Sequence, residues 1–166
     1  MDTIEYPWTE CECISIGHVP KTIGTPDIYY IISCCENPVL LINIYYNYYP
    51  SYFKGAEVLG RYIFIGFCDL VYLIDIFNRS VNYFNLSGYF GYIYKYDHFA
   101  LAASASDLLC FNDNGELIWL SENLGIDGVI VNDFDGKYIY GSGEWDPPGG
   151  WKDFRLMANS GIKIDE

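Results

Sequence analysis

The chain has 166 residues, of which 51% are hydrophobic and 19% aromatic, so it can bury a real core and is not a disordered acidic tail. Nine basic and 22 acidic residues give a formal net charge of −13, and such a surface repels the phosphates of nucleic acids. We therefore expect no direct binding to DNA or RNA. Acidity serves solubility in many proteins, and it also attracts basic partners.

The amino-terminal stretch "MDTIEYPWTECEC" is acidic and lacks both the basic and the apolar region of a signal peptide. No apolar run approaches the ~20 residues that a membrane-spanning helix needs. The sequence therefore predicts a cytoplasmic protein with no membrane partner.

The cysteines indicate neither a metal site nor a cofactor. Their C-x-C and C-C spacings differ from the C-x₂-C spacing of zinc sites, and the chain has only two histidines. Cys68 and Cys110 lie in apolar runs, which favours small core residues. In a reducing compartment the six cysteines would stay unpaired. They are Cys11, Cys13, Cys34, Cys35, Cys68 and Cys110.

Short β-branched and aromatic runs, broken by Gly, Asn, Asp and Pro, predict strands along the whole chain. "DIFNRSVNYF" (75–84) supplies a loose turn between two of them. In "NDNGELIW" (112–119) and "FDGKYIYG" (134–141), the pairs Asn114-Gly115 and Asp135-Gly136 predict tight hairpin turns, because both central positions tolerate positive φ. The fold class is therefore all-β, in a single β-rich domain spanning 1–166.

Four degenerate segments of similar strand and turn pattern indicate blade-like repeats. They lie near 27–46, 61–86, 99–121 and 137–164. Propeller blades are ~40–45 residues long, slightly longer than the spacing of these segments. We expect a propeller-like arc, a partial or minimal β-propeller of about three to four antiparallel blades. An antiparallel β-sandwich or barrel is the alternative.

The tyrosine-rich run "INIYYNYYPSYF" (42–53) places rings on both faces of any strand through it, so they cannot all be core. Some of these tyrosines, such as Tyr46, Tyr48 and Tyr49, would then contact solvent or a partner, because tyrosine offers a large contact area with little entropy to lose. An aromatic ladder on a solvated sheet face is equally compatible with the run.

The stretch "SGEWDPPGGW" (142–151) permits three interpretations. Glu144 and Asp146 could form a glycosidase-like acid/base pair beside Trp145 and Trp151. The double proline and double glycine also predict a rigid bend between two strands. A rigid bend that carries tryptophan suits recognition, because little entropy is lost on binding.

Carboxylates beside turns favour a basic protein as the partner. Asp133 and Asp135 alternate like the start of a calcium loop, but the downstream glutamate is missing, which favours a hairpin. Acidic turns at one end of a β-scaffold would form a negative rim around aromatic side chains. The candidate partner-binding residues are Glu144, Trp145, Asp146, Trp151, Asp133, Asp135, Asp153, Tyr46, Tyr48 and Tyr49.

The segment "LGIDGVIVNDFDGKYIYGSGEWDPPGGWKDFRL" (124–156) resembles the carboxy-terminal part of small bacterial proteins found beside polymorphic toxin genes. Some of these are immunity proteins of contact-dependent growth inhibition systems. The resemblance covers about a fifth of the chain well. It implies stoichiometric neutralisation of a cognate toxin domain, commonly a nuclease, with no catalytic residue and no transferable contact residue.

The sequence thus leads to a non-enzymatic immunity protein that covers the basic active site of a toxin domain, with an RNase favoured over a DNase as the target. The alternative is a small glycan-binding or glycoside-acting β-protein that uses the Trp/carboxylate loop 143–151. A structural subunit, whose sheet edges are completed by neighbouring copies, is a third possibility.

Overall fold

The computed structural model describes residues 11–17, 26–46, 53–146 and 148–164. This part of the chain forms β-strands, turns and bends and contains no helix, which confirms the all-β prediction. Correspondingly, no helix in it is long and apolar enough to cross a membrane. The chain divides into two compact units, Met1–Pro50 and Ser51–Glu166.

Strands account for most of the described residues. Their bounds in chain order are β1 (Glu12–Gly17), β2 (Ile28–Cys34), β3 (Asn37–Tyr45), β4 (Lys54–Leu59), β5 (Tyr62–Phe67), β6 (Leu70–Asp75), β7 (Val81–Asn85), β8 (Phe90–Lys95), β9 (Phe99–Ser104), β10 (Leu108–Asn112), β11 (Leu117–Ser121), β12 (Val129–Phe134), β13 (Tyr138–Glu144) and β14 (Trp151–Met157).

The first unit contains one three-stranded sheet in the order β1-β3-β2. Strands β2 and β3 form an antiparallel hairpin, whereas β1 runs parallel to β3, so this sheet is mixed rather than purely antiparallel as the sequence predicts. Alternate residues of the central strand, Leu40, Ile42 and Ile44, are fully buried, as expected for a strand with one apolar face.

The second unit contains three antiparallel sheets, in the orders β4-β5-β6-β7, β11-β10-β9-β8 and β12-β13-β14. In each of them, strands that follow one another in the chain lie side by side. Every sheet of described strands is open, with two edges, so the barrel alternative is wrong for this part of the chain.

The sheet β8–β11 is covered on both faces by the neighbouring sheets of its unit. Along β9, Ala100 and Ala102 join a core cluster with residues of β4, β5 and β6, whereas Leu101 and Ala103 join a second cluster with residues of β12, β13 and β14. Because successive side chains of a strand point to opposite faces, the run "FALAAS" contributes side chains to both core clusters. Burial of both faces of β9 explains why its sequence is apolar without interruption.

Two paired glycines accommodate one of the three buried phenylalanines of the first cluster. Gly55 and Gly66 are direct partners across β4 and β5, and the fully buried ring of Phe90 packs on them. A β-carbon on Gly66 would lie 2.0 Å from the Phe90 ring, whereas one on Gly55 would lie 3.5 Å from it. The close approach at Gly66 therefore requires glycine.

Both hairpins predicted from Asn-Gly and Asp-Gly pairs exist, but their turn type differs from the prediction. Neither Asn114 nor Asp135 adopts positive φ; only the glycines do, with φ of 76° at Gly115 and 92° at Gly136. The reason is side-chain capping, because Asn112 and Asp135 accept hydrogen bonds from following backbone N–H groups. These bonds favour turns other than the two-residue I′ type.

The predicted repeats overlap the sheets but begin late in them. The repeats at 61–86, 99–121 and 137–164 take in the later strands of three sheets and leave out the first strand of each, namely β4, β8 and β12. The repeat at 27–46 takes in β2 and β3. The first strands β4 and β8 are less continuously buried than β5 and β9, the strands that follow them.

Candidate partner-binding groove

The stretch 142–151 forms a closed bend between two paired strands. Strand β13 ends at Glu144 and β14 begins at Trp151, and these two residues are direct cross-strand partners. The backbone N–H of Trp145 donates to Gly150 O at 2.9 Å, and the N–H of Gly150 donates to Asp146 O at 3.0 Å. The bend interpretation agrees with this geometry; Pro147 lies outside the described residues.

A cavity of about 490 Å³ opens beside this bend, within the second unit. Its lining comes from β8, β12, the ends of β9 and β13, the start of β14, and the segments that precede β4, β8 and β12. We call it the aromatic groove. Its aromatic and acidic lining residues are Phe53, Tyr89, Tyr92, Tyr94, Trp151, Asp127 and Glu144.

The rings of the groove are unusually open to solvent. Phe53, Tyr92 and Trp151 are 51%, 59% and 43% exposed, respectively. Phe53 stacks on Tyr89 with ring centroids 5.4 Å apart, and Tyr92 lies against Tyr94 at 4.9 Å. Contiguous exposed aromatic surface of this kind marks interaction sites in soluble proteins.

Two carboxylates give the groove its charge. The hydroxyl of Tyr89 donates to the backbone carbonyl of Asp127, and Glu144 Oε1 accepts a hydrogen bond from the N–H of Gly149 at 2.6 Å. Burial, and then the negative charge of Asp127, raises the pKa of Tyr89, so its hydroxyl stays protonated. Among the described residues that line the groove there is no Lys, Arg or His.

The other two predicted residues of the bend, Trp145 and Asp146, do not line the aromatic groove. Trp145 is half-buried and carries the ammonium of Lys152 over its ring, 5.4 Å from the centroid. Asp146 is exposed, and neither residue lines the groove. Since β13 ends at Glu144, Asp146 lies beyond the strand and does not share a strand face with Glu144.

Three predicted carboxylates belong to the β12–β14 sheet and lie outside the lining of the groove. Asp133 accepts from the N–H of Phe134. Asp153 accepts from the hydroxyl of Ser142 at 2.7 Å. Asp135 accepts two backbone N–H bonds and the Tyr140 hydroxyl, and these bonds lower its pKa, the backbone bonds most.

Of the predicted tyrosines, one lies in the described part of the chain. Tyr46 follows β3 in the first unit, and its backbone N–H donates to Asp27 Oδ2 at 2.6 Å. Tyr48 and Tyr49 lie outside the described residues. Of the ten predicted residues, Glu144 and Trp151 are therefore the two that line the groove in the described part of the chain.

A second cleft, of about 640 Å³, is larger but chemically different. It is lined by Asn132, Tyr140, Asp153, Arg155 and Lys163 among others, so it mixes both signs of charge. The guanidinium of Arg155 lies over the Tyr138 ring at 5.2 Å. The aromatic groove alone of these two combines open rings with a purely negative charge.

Sequence reasoning missed four aromatic residues of the groove: Phe53, Tyr89, Tyr92 and Tyr94. The spacing of Tyr92 and Tyr94 in "FGYIYK" is a usable signal, since residues two apart in a strand share a face. Phe53 and Tyr89 come from connecting segments, and no local pattern marks them.

The described residues contain no group of three His, Cys, Asp or Glu side chains placed to hold a metal ion. Cys68 and Cys110 are buried, as predicted, and burial raises the pKa of Cys110 to about 12. No protein-family model matches this chain, and no curated protein matches its sequence.

Proposed function

We propose that this chain is a non-enzymatic immunity protein that binds a cognate basic toxin domain and neutralises it by covering its active site. The toxin domain would be a nuclease, and an RNase is favoured over a DNase. The observation that carries the proposal is the aromatic groove, which offers open rings and two carboxylates with no described basic side chain among its lining.

The chemistry of the groove complements a surface that binds nucleic acid. Such a surface is rich in Lys and Arg because it must hold phosphates. An inhibitor that covers it needs negative charge to attract it and aromatic anchors to hold it, since Trp and Tyr dominate binding hot spots. Trp151, Tyr92 and Glu144 combine these properties in one place.

The groove would be the centre of a larger contact. Tight inhibition needs a standard interface of ~1,600 Å² in total, of which a groove of this size fills a part. Asp127 and Asp146 are exposed and would add negative charge to this contact. The net charge of −13 attracts a basic partner to the protein.

A propeller-like arc is the architecture that we propose for the three sheets of the second unit. The first strands of these sheets follow one another in contact, β4 with β8 and β8 with β12, as the inner strands of successive blades do. In such an arc the groove lies beside the inner strands β8 and β12. We place the protein in the cytoplasm, where a toxin would meet its RNA substrate.

Complex formation with the right partner tests the proposal. If the reading frame immediately upstream encodes a secreted protein with a basic carboxy-terminal domain, that domain, purified as an inactive variant, is the partner to use. Calorimetry should give one binding site per chain with a Kd below about 10 nM, as for tight enzyme–inhibitor pairs. Absence of binding by calorimetry and by gel filtration would reject the proposal.

Glycan binding is the second candidate, and the pairing of Trp151 with Glu144 favours it, because an aromatic ring beside a carboxylate also suits sugars. A glycan array would test it with the wild-type chain and the Trp151→Ala variant. Binding that disappears in the variant would support this candidate, and an empty array would remove it.

A further inference from the structure

Three groups of the aromatic groove converge on one glycine. A β-carbon built on Gly128 would lie 3.2 Å from Cη2 of Trp151, 3.9 Å from Oε2 of Glu144 and 3.9 Å from the hydroxyl oxygen of Tyr89. Gly128 has an ordinary φ, so its lack of a side chain is not required by the backbone. A methyl group there would already be tight against Trp151, so the glycine lets the indole ring lie close to the backbone, beside a carboxylate and a hydroxyl that line the same groove.

The hydrogen bonds already made by these groups determine what the space can accept. The Tyr89 O–H donates to the Asp127 carbonyl, so its oxygen presents lone pairs to the groove. One oxygen of Glu144 is held by the N–H of Gly149, and the other, Oε2, lies 3.9 Å from the same β-carbon position. Trp151 is 43% exposed, so the groove offers acceptors beside an open aromatic ring, and a ligand must supply donors and positive charge.

We propose that the part of the aromatic groove beside Trp151 and Glu144 is a socket for the guanidinium group of a partner's arginine. The inference rests on the proposed function and names the side chain that the basic partner inserts. A planar guanidinium stacks on an aromatic ring while its N–H fork bonds a carboxylate, which is the combination that Trp151 and Glu144 present. A compact ammonium can use the charge but not the flat stacking surface.

Phosphate-binding surfaces of nucleases are built largely with arginine, because its fork matches phosphate geometry. An arginine taken into the socket is withdrawn from the substrate. The same contact would therefore both recognise the toxin domain and block its binding of substrate.

The test uses the whole chain, ¹⁵N-labelled, and needs no toxin. N-acetyl-arginine amide is titrated while the backbone amide of Gly128 and the indole N–H of Trp151 are followed by NMR. N-acetyl-citrulline amide is the matched control, since it has the same shape without the charge. N-acetyl-lysine amide tests the guanidinium requirement, and methyl glucoside tests for a sugar.

We expect saturable shifts at both signals with the arginine probe, at an affinity at least about tenfold tighter than for the citrulline probe. Gly128→Val, which fills the socket, should abolish the shifts. Glu144→Gln, which keeps the acceptor for Gly149, should weaken binding about tenfold and guards against a folding defect in the first variant. Equal shifts with citrulline, lysine or glucoside, or shifts that persist in both variants, would overturn the proposal.

Failure of the socket and failure of the proposed function are distinguishable. If the basic toxin domain binds the wild-type chain and the Gly128→Val variant equally well, the socket is wrong and the immunity function stands. If the arginine probe binds but no toxin domain does, the socket stands without that function.

Discussion

Glu144 and Trp151 face each other across β13 and β14, as the last and the first residue of two strands joined by a bend. The pairing fixes a carboxylate beside an indole ring at one edge of the aromatic groove. Because backbone hydrogen bonds close the bend between them, little conformational entropy remains to be lost when a partner binds. The proposed contact with a partner therefore depends on these two residues rather than on the whole bend.

Replacing the two tryptophans of the bend should have unequal effects. Trp151→Ala removes an exposed ring from the groove and should weaken binding of the basic partner by about 2 kcal/mol, or roughly thirtyfold, as for an interface hot spot. Trp145→Ala is the matched control, since Trp145 does not line the groove. Calorimetry of both variants decides the matter, and equal losses would place the contact elsewhere.

The rate of association with the basic partner should depend strongly on salt. Raising the ionic strength from about 10 mM to 1 M shortens the Debye length from ~30 Å to ~3 Å and removes steering by the net charge of −13. We expect the association rate constant to fall at least about tenfold in stopped-flow measurements. A rate that is unchanged over this range would show that charge does not guide the encounter.

The paired glycines under Phe90 should respond differently to the same added methyl group. Gly66→Ala places a β-carbon 2.0 Å from the ring and should lower the free energy of unfolding by about 1–3 kcal/mol through overpacking. Gly55→Ala meets the ring at an ordinary 3.5 Å and serves as the control. Urea denaturation of both variants measures the difference, and equal stabilities would contradict the packing described for Phe90.

Asp75 should make stability depend on acid pH. Burial alone would raise the pKa of this carboxyl, but the pKa is lowered on balance, first by hydrogen bonds from the backbone N–H groups of Asn78 and Phe77. Arg61, 3.2 Å away, lowers the pKa further. The folded state therefore binds the proton less readily than the unfolded state, and the stabilisation is complete above the unfolded pKa of about 4 and is lost as pH falls below it.

The variant Asp75→Asn isolates this effect. Its deficit in unfolding free energy relative to the wild type should be constant from pH 5 to pH 7 and should shrink as the pH falls below about 4. Urea denaturation at a series of pH values checks this. A deficit that stays constant down to pH 2 would mean that the carboxylate charge contributes nothing at this turn.

Secondary structure could be predicted from the sequence where the local pattern is strong. The apolar runs "FALAAS" and "LLCFN" form β9 and β10, the two central strands of their sheet, and the buried Cys110 lies in β10 as predicted. Turn type could not be predicted, because the side chains of Asn112 and Asp135 cap their own turns and override the preference of the following pair.

The groove could be predicted only in part. Its residues come from five stretches of chain around Phe53, Tyr92, Ser104, Gly128 and Trp151, and the register and packing of the sheets bring them together. Trp151 and Glu144 were identifiable because an unusual local sequence holds them. Phe53 and Tyr89 lie in connecting segments whose composition is ordinary, so their role depends on tertiary structure alone.

Titration of nuclease activity tests the central claim most directly. The active basic domain encoded upstream is held at a fixed concentration, and RNA cleavage is measured as the wild-type chain or the Trp151→Ala variant is added. The claim requires that cleavage stop at one equivalent of the wild-type chain and that the variant need a clear excess. Cleavage that continues undiminished at several equivalents of the wild-type chain would contradict it.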